Sequence, residues 1–225
     1  GNVYSNITSD ITFKNMIVNG DFQIWQRRTL YTGPATISYP TADHWYHSIN
    51  PNVTLTSQKN SVTFGSGIGN TNSLRLTLSG MTSGYTIATA VENALCLQNS
   101  FATISMYSRC DNPQTLSITI VQEFGSGGST AITVCNANFN ITNQWARYSA
   151  TFQMPNISNL VVGENSCIKV FIQTDSALSS LTNLDIALVQ LENNISATNF
   201  SPRQYQIEEM LCKRYYEEGY STWSG

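Results

Sequence analysis

Apolar and polar residues alternate with a period of two along most of the chain. Leu74, Leu76 and Leu78 alternate with Ser73, Arg75, Thr77 and Ser79. Leu116, Ile118 and Ile120 alternate with Ser117 and Thr119, and Tyr148, Ala150 and Phe152 with Ser149 and Thr151. Ile168, Val170 and Ile172 alternate with Lys169 and Phe171, and Leu184, Ile186 and Leu188 with Asp185 and Ala187. Successive side chains of a strand point to opposite faces, so each segment predicts a strand with one face in a core and one facing out. Further strands are predicted over 11–18, 43–49, 53–57, 85–91, 101–107 and 130–135. Turn residues separate them: Asn19-Gly20, Ser79-Gly80, Asn112-Pro113, Pro155-Asn156 and the run Gly125-Ser126-Gly127-Gly128. Ten or more short strands at this spacing predict two packed sheets. One segment has a different period. In 206–218, Ile207, Met210, Leu211, Arg214 and Tyr215 fall on one face of a short helix, with Glu208 and Glu209 near its start and Lys213 near its end. Gly219 is a natural stop.

Composition narrows what such a sandwich does. Only 11% of the 225 residues are charged, against about 25% in an average globular protein. Asn, Ser and Thr number 23, 26 and 25, so short uncharged polar groups must cover the surface. That suits a protein working against other surfaces, such as a fibre, coat or adhesin. Net charge is −3 and the 11 basic residues do not cluster, so no nucleic-acid partner is expected. No apolar run approaches the roughly 18 residues of a membrane span, and no membrane insertion is expected. No basic stretch followed by an apolar one marks a secretory signal.

The residues that usually carry chemistry form no recognisable pattern. The five cysteines, Cys96, Cys110, Cys135, Cys167 and Cys212, are odd in number and lack a CxxC pair, so free thiols are expected. His44 and His47 are three apart, which in a strand puts them on opposite faces and argues against a shared metal. The loop 125–129 has neither the lysine nor the following helix of a phosphate cradle and reads as a flexible hairpin connection. Glu123, Glu164, Asp175 and Glu192 show no pairing of the kind glycoside hydrolysis needs, and no enzymatic role is expected.

Several stretches taken in order resemble a domain of bacteriophage and large-virus tail-fibre or surface-fibre proteins. The first is Asn19-Gly20-Asp21-Phe22-Gln23-Ile24-Trp25-Gln26-Arg27, followed by Ala42-Asp43-His44-Trp45. Gln122-Glu123-Phe124-Gly125-Ser126-Gly127-Gly128-Ser129 is central, then Trp145 with Arg147 and Tyr148. Val189-Gln190-Leu191-Glu192 with Ala197, Thr198, Phe200 and Arg203 comes next, and Glu208-Glu209 with Leu211-Cys212-Lys213-Arg214-Tyr215-Tyr216 is last. The resemblance implies an all-β fold, a jelly-roll β-sandwich of two antiparallel sheets with one short C-terminal helix, similar to carbohydrate-binding modules. Residues 1–14 are then an N-terminal extension, 15–200 the sandwich, and 201–225 a linker, helix and tail.

Some such modules hold a structural calcium between acidic groups, and Asp21 and Asp185 are the matching positions. Gln23 and Ile186 depart from the acidic pattern, so a turn aspartate and a satisfied sheet-edge aspartate are the simpler reading; no other cofactor is expected. Trp25, Trp45 and Trp145 lie within motifs and read as core anchors. An aromatic face stacks on the apolar C–H face of a sugar ring, and Tyr31, Tyr46, Tyr85 and Trp223 are the candidates for an exposed ligand-binding platform. The resemblance further implies a homotrimer in the virion, assembled in the host cytoplasm beside other virion proteins and attaching to a host-surface glycan. A structural fibre or head-decoration domain without ligand, and an accessory module of a depolymerase, are the competing readings.

Overall fold

The computed structural model describes residues 14–36, 39, 41–47, 50–64, 69–79, 84–174 and 182–217. The strands are β1 (Leu30–Ala35), β2 (Tyr46–His47), β3 (Asn50–Phe64), β4 (Gly69–Ser79), β5 (Thr86–Glu92) and β6 (Phe101–Cys110). They continue with β7 (Gln114–Glu123), β8 (Ile132–Ile141), β9 (Ala146–Gln153), β10 (Cys167–Thr174) and β11 (Thr182–Glu192), before the helix α1 (Tyr205–Lys213). One sheet runs β1-β3-β4-β11-β6-β9 and the other β2-β5-β10-β7-β8. The neighbouring strands pair antiparallel. The protein is a jelly-roll β-sandwich, as the alternation and the resemblance predict.

Between the sheets lies the apolar phase of each strand: Leu74, Leu76 and Leu78 from β4, Leu116, Ile118 and Ile120 from β7, Ile168, Val170 and Ile172 from β10. Each such side chain, fully buried, stabilises the fold by about 1.5–3 kcal/mol. The predicted strand 11–18 is not one in its described part, 14–18. That segment instead takes the place beside β11 that β4 leaves after Leu74. Asn15 donates from Nδ2 to the Val189 carbonyl and accepts from the Leu191 amide, and the Met16 amide donates to the Leu191 carbonyl. Of the predicted strand 43–49, Tyr46–His47 form β2 and Asp43–Trp45 do not, His44 adopting a left-handed φ of 70°; 48–49 lie outside the described residues. The glycine-rich loop joins β7 to β8 but is not loose. The Ser126 amide donates to the Glu164 carbonyl at 2.9 Å and the Gly163 amide to the Phe124 carbonyl at 2.7 Å. A Cβ on Gly125 would strike the Glu164 carbonyl, so glycine is what lets the two backbones meet.

At one end of the sandwich, four of the sequence motifs converge. Asn19, fully buried with φ of 55°, donates from Nδ2 to the Ile24 and Asp43 carbonyls and accepts the Ile24 amide at Oδ1. Its carbonyl accepts the indole N–H of Trp45, and its amide donates to Glu208 on α1. Gly20 follows because a Cβ there would meet the Val189 carbonyl. Trp45 packs on Phe22, ring centroids 5.0 Å apart, and Trp25 donates to the Phe22 carbonyl. The helix is tied down by Arg203, whose guanidinium reaches Glu208 at 3.0 and 3.1 Å and the Ile17 carbonyl at 2.9 Å. Both partners of that ion pair are almost fully buried, at 6% and 3% side-chain exposure. Glu208→Ala leaves a buried guanidinium without its carboxylate, and a loss of about 3–5 kcal/mol is expected in urea denaturation. A loss under about 1 kcal/mol would show that the helix is not anchored there.

Candidate functional site

A candidate site lies on the outward face of the five-stranded sheet. Strand register places Tyr46 of β2, Ala88 of β5, Phe171 of β10, Thr119 of β7 and Asn136 of β8 in one row. Phe171 lies on the phase opposite the buried Ile168, Val170 and Ile172, so its ring points away from the core. Ala88 is outside the core cluster yet only 1% exposed. Its Cβ is covered from the side, between Tyr46 and Phe171. Those two residues are two strand spacings apart, about 10 Å. The next row is Ala90, Lys169, Val121 and Thr133. Tyr46 and Phe171 thus flank a shallow trough that is closed over Ala88 and partly open at Ala90. Polar groups rim it: Lys169 pairs with Glu123 at 2.8 Å, Gln173 donates to Thr86 at 3.2 Å, and Ser117 donates to Asn138 at 2.7 Å. Apolar side chains are thus edged by hydroxyls, amides and one ion pair.

The trough opens at Ala90 and Tyr46 into a cavity of about 350 Å³, within the range of small-ligand sites. Tyr39 and Tyr46, 6.0 Å apart, form one side. Tyr215 and Tyr216, just past α1, form the other, with His44 against Tyr215 at 4.4 Å edge-on. Arg27 lies 3.5 Å from the Tyr216 ring and 5.4 Å from the Tyr39 ring. Burial pushes the Tyr46 hydroxyl up to about 12, so it stays protonated and is a neutral donor.

Of the four aromatic residues expected on a platform, Tyr46 lines the site. Tyr85 is not exposed: it is 2% accessible, and its hydroxyl pairs with Nδ1 of the buried His47 at 2.5 Å. It occupies the core phase next to β5, where the loop before the strand turns inward. Tyr31 sits on β1 of the other sheet, half-buried, donating to the Pro34 carbonyl at 2.7 Å. Trp223 lies outside the described residues. Trp25 and Trp45 are core anchors as expected, but Trp145 is not in the core cluster. It packs half-buried against Phe64 at 5.2 Å, and Phe64 against Tyr107 at 4.6 Å. Both histidines are hydrogen-bonded, His44 through Nδ1 to Thr89.

Asp21 and Asp185 keep separate partners. Asp185 is 1% exposed and is gripped by Arg75 at 2.8 Å on each oxygen and by Arg109 at 2.9 Å. A carboxylate held by two guanidiniums is a poor calcium ligand, so Asp185 does not fit that role. Asp21 lies in the field of Glu208 and Arg203 instead. Among the described residues no group of three or more His, Cys, Asp or Glu is placed to hold a metal ion.

The residues missed in the sequence are Phe171, Ala88, Tyr39, Arg27 and the Tyr215-Tyr216 pair. Phe171 did carry a signal: an aromatic ring on the polar phase of an alternating strand faces outward by geometry alone. Arg27 and Tyr39 carried none, because loop folding brings them to the helix.

No curated protein sequence matches the chain. Residues 14–163 match the profile of a family described as carbohydrate binding domain. Solved structures are similar at low identity. The enzymatically active domain of tailspike protein 4 of bacteriophage CBA120 aligns over 80% of this chain and 21% of its own, with 11% identity and a TM-score of 0.49. An arabinose-bound α-L-arabinofuranosidase aligns over 80% and 26%, with 12% identity and a TM-score of 0.50. A putative sugar binding protein from Bacteroides thetaiotaomicron aligns over 80% and 100%, with 12% identity and a TM-score of 0.49. The chain thus spans about a quarter or less of the first two. At these identities the likeness is one of fold alone.

Buried titratable groups around the site set its acid response. Burial holds His44 down to about 4 and His47 to about 3, whereas burial, with the Glu208 charge second, raises Asp21 to about 6. Between pH 6 and 4 the unfolded chain takes up two histidine protons that the fold refuses. Over the same range the fold takes up one Asp21 proton that the unfolded chain does not. Stability therefore falls as pH drops below about 6.5, and Asp21 partly offsets the fall. Asp21→Asn removes the offset, so the free energy of unfolding measured by urea at pH 6, 5 and 4.5 should decline more steeply than in the parent. An unchanged or shallower decline would contradict this assignment.

Proposed function

The chain belongs to the carbohydrate binding domain family, and on that premise we propose that it holds a glycan along the trough on the outer face of the five-stranded sheet. The observation that carries this is the row Tyr46, Ala88, Phe171, in which two partly exposed aromatic side chains stand on either side of a covered alanine. Aromatic faces take the apolar face of a sugar ring. The polar rim is built of amides, hydroxyls and one internally paired Lys169–Glu123 couple, so hydroxyl groups are recognised without a buried unpaired charge. The role is binding rather than catalysis.

The finer reading is that of a virion fibre module that attaches to a host-surface glycan as a homotrimer. Its support is the ordered set of fibre-domain motifs, together with a surface of short neutral polar side chains. Three weak sites on one trimer give useful avidity.

Phe171→Ala should weaken glycan binding about tenfold, measured by calorimetry on the best ligand from a glycan array. The melting temperature should barely move, since the ring faces out. Binding that survives both Phe171→Ala and Tyr46→Ala would remove the trough as the site, and a chain that binds no glycan would favour the ligand-free structural fibre. In light scattering the purified chain should have the mass of three copies; a monomer would end the trimer reading.

A further inference from the structure

The cavity at the end of the trough has a different chemistry from the trough itself. Its walls come from two parts of the chain. Arg27, Tyr39 and His44 lie within the family match, whereas Cys212, Tyr215 and Tyr216 follow it. The C-terminal helix and the two tyrosines that follow it therefore add a wall to the sheet edge. Within the lining, Arg27 is a cation and no carboxylate is present. His44 adds no charge at neutral pH, because burial holds it down to about 4.

Arg27 is prepared for a planar anion. Tyr216 covers the guanidinium at 3.5 Å and Tyr39 approaches at 5.4 Å, which immobilises the side chain. Among the described residues its charged group has an ion pair with Asp43 at 3.6 Å and no hydrogen bond. The Asp43 carboxylate is 1% exposed and accepts a hydrogen bond from Gln26 Nε2 at 2.6 Å. Glu92, which is exposed, pairs with Arg214 at 2.9 Å. A guanidinium stacked on rings, with unspent N–H donors in a fork, matches a carboxylate in bidentate geometry.

We propose that this pocket is an end subsite for an acidic sugar, whose carboxylate is held by Arg27 and whose ring lies among Tyr39, Tyr46 and Tyr215. The inference deepens the glycan-binding reading and rests on it only in its direction: the pocket selects one charged residue, while the trough holds the neutral chain beside it. Specificity follows from the fork, since a glucose-type ring fills the same space and leaves the guanidinium without an anion.

The test uses the full chain and three probes: glucuronic acid, glucose and acetate, titrated by the NMR shifts of tyrosine ring protons. Glucuronic acid is expected to bind at least tenfold more tightly than glucose, and acetate at equal concentration not to compete. Arg27→Gln should abolish the preference, and Arg27→Lys should restore only part of it, because charge without the fork remains. Tyr39→Ala, at an exposed position, should weaken glucuronic acid several-fold in a fold that is intact. Phe171→Ala should leave glucuronic acid binding unchanged while it weakens neutral oligosaccharides. Equal affinity for glucose and glucuronic acid, a preference that survives Arg27→Gln, or effective competition by acetate would each overturn the proposal. Loss of neutral oligosaccharide binding alone would strike the trough and leave the pocket standing.

Discussion

The arrangement depends on one buried asparagine. Asn19 has no exposed surface and sits at a left-handed φ that its amide side chain helps to stabilise. Burying an amide is unfavourable unless its groups find partners, and here the partners come from three segments. The Ile24 backbone closes the turn itself, the Asp43 carbonyl and Trp45 indole bring in the second loop, and Glu208 brings in the helix. Arg27, Tyr39 and Tyr46 are then presented from one side and Tyr215 and Tyr216 from the other. The pocket is consequently a product of polar satisfaction at a distance from the ligand. Substituting Asn19 would remove the side-chain partner of the Ile24 amide and of the Ile24 and Asp43 carbonyls at once.

The two outer faces of the sandwich have been put to different uses. On the six-stranded sheet, Arg75, Arg109 and Asp185 saturate one another and Phe64, Tyr107 and Trp145 pack together at tilted and edge-on angles. Rings that meet edge to face give up the flat, accessible surface a sugar needs, so this face is consumed by internal contacts. The five-stranded sheet has the opposite character. Its outward positions include Ala88, Ala90, Val121, hydroxyls and amides and the single Lys169–Glu123 pair, with the rings of Tyr46 and Phe171 separated by a small residue. Low charge is what allows this: a face of paired ions would resist the desolvation that accompanies stacking.

The strands were legible because alternation is a property of local sequence and survives whatever the rest of the chain does. The jelly roll came from ordered motifs, and the helix from its own period. The failures share a cause. Residues 14–18 and 43–45 alternate like strands, but β11 bulges at Leu188, with φ of 52°, and the N-terminal segment fills the position through the Asn15 side chain rather than a ladder. Tyr85 looked exposed from its loop position, yet its hydroxyl has a buried partner, His47, 38 residues away. The motif residues Asn19, Asp43, Gln190, Glu192, Arg203 and Glu208 form the hydrogen-bonded frame, whereas the motif residues Arg27, His44, Tyr215 and Tyr216 line the pocket. Recognisable motifs therefore pointed to the fold and to part of the pocket, while Phe171 was marked only by an out-of-phase ring.

That separation has a physical consequence for how specificity can change. The frame is all-or-none, because removing one member of a satisfied polar network exposes the desolvation penalty of the others. The trough and pocket are not: Phe171 and Lys169 stand on opposite-phase positions of a strand whose other phase holds the core, and Tyr39 and Tyr215 are about half exposed. Side chains there can be exchanged without disturbing the packed layer, since a strand's two faces are chemically independent. A sandwich of this kind can hold its fold constant while its ligand varies. The C-terminal segment extends that freedom by supplying one wall of the pocket from outside the matched region.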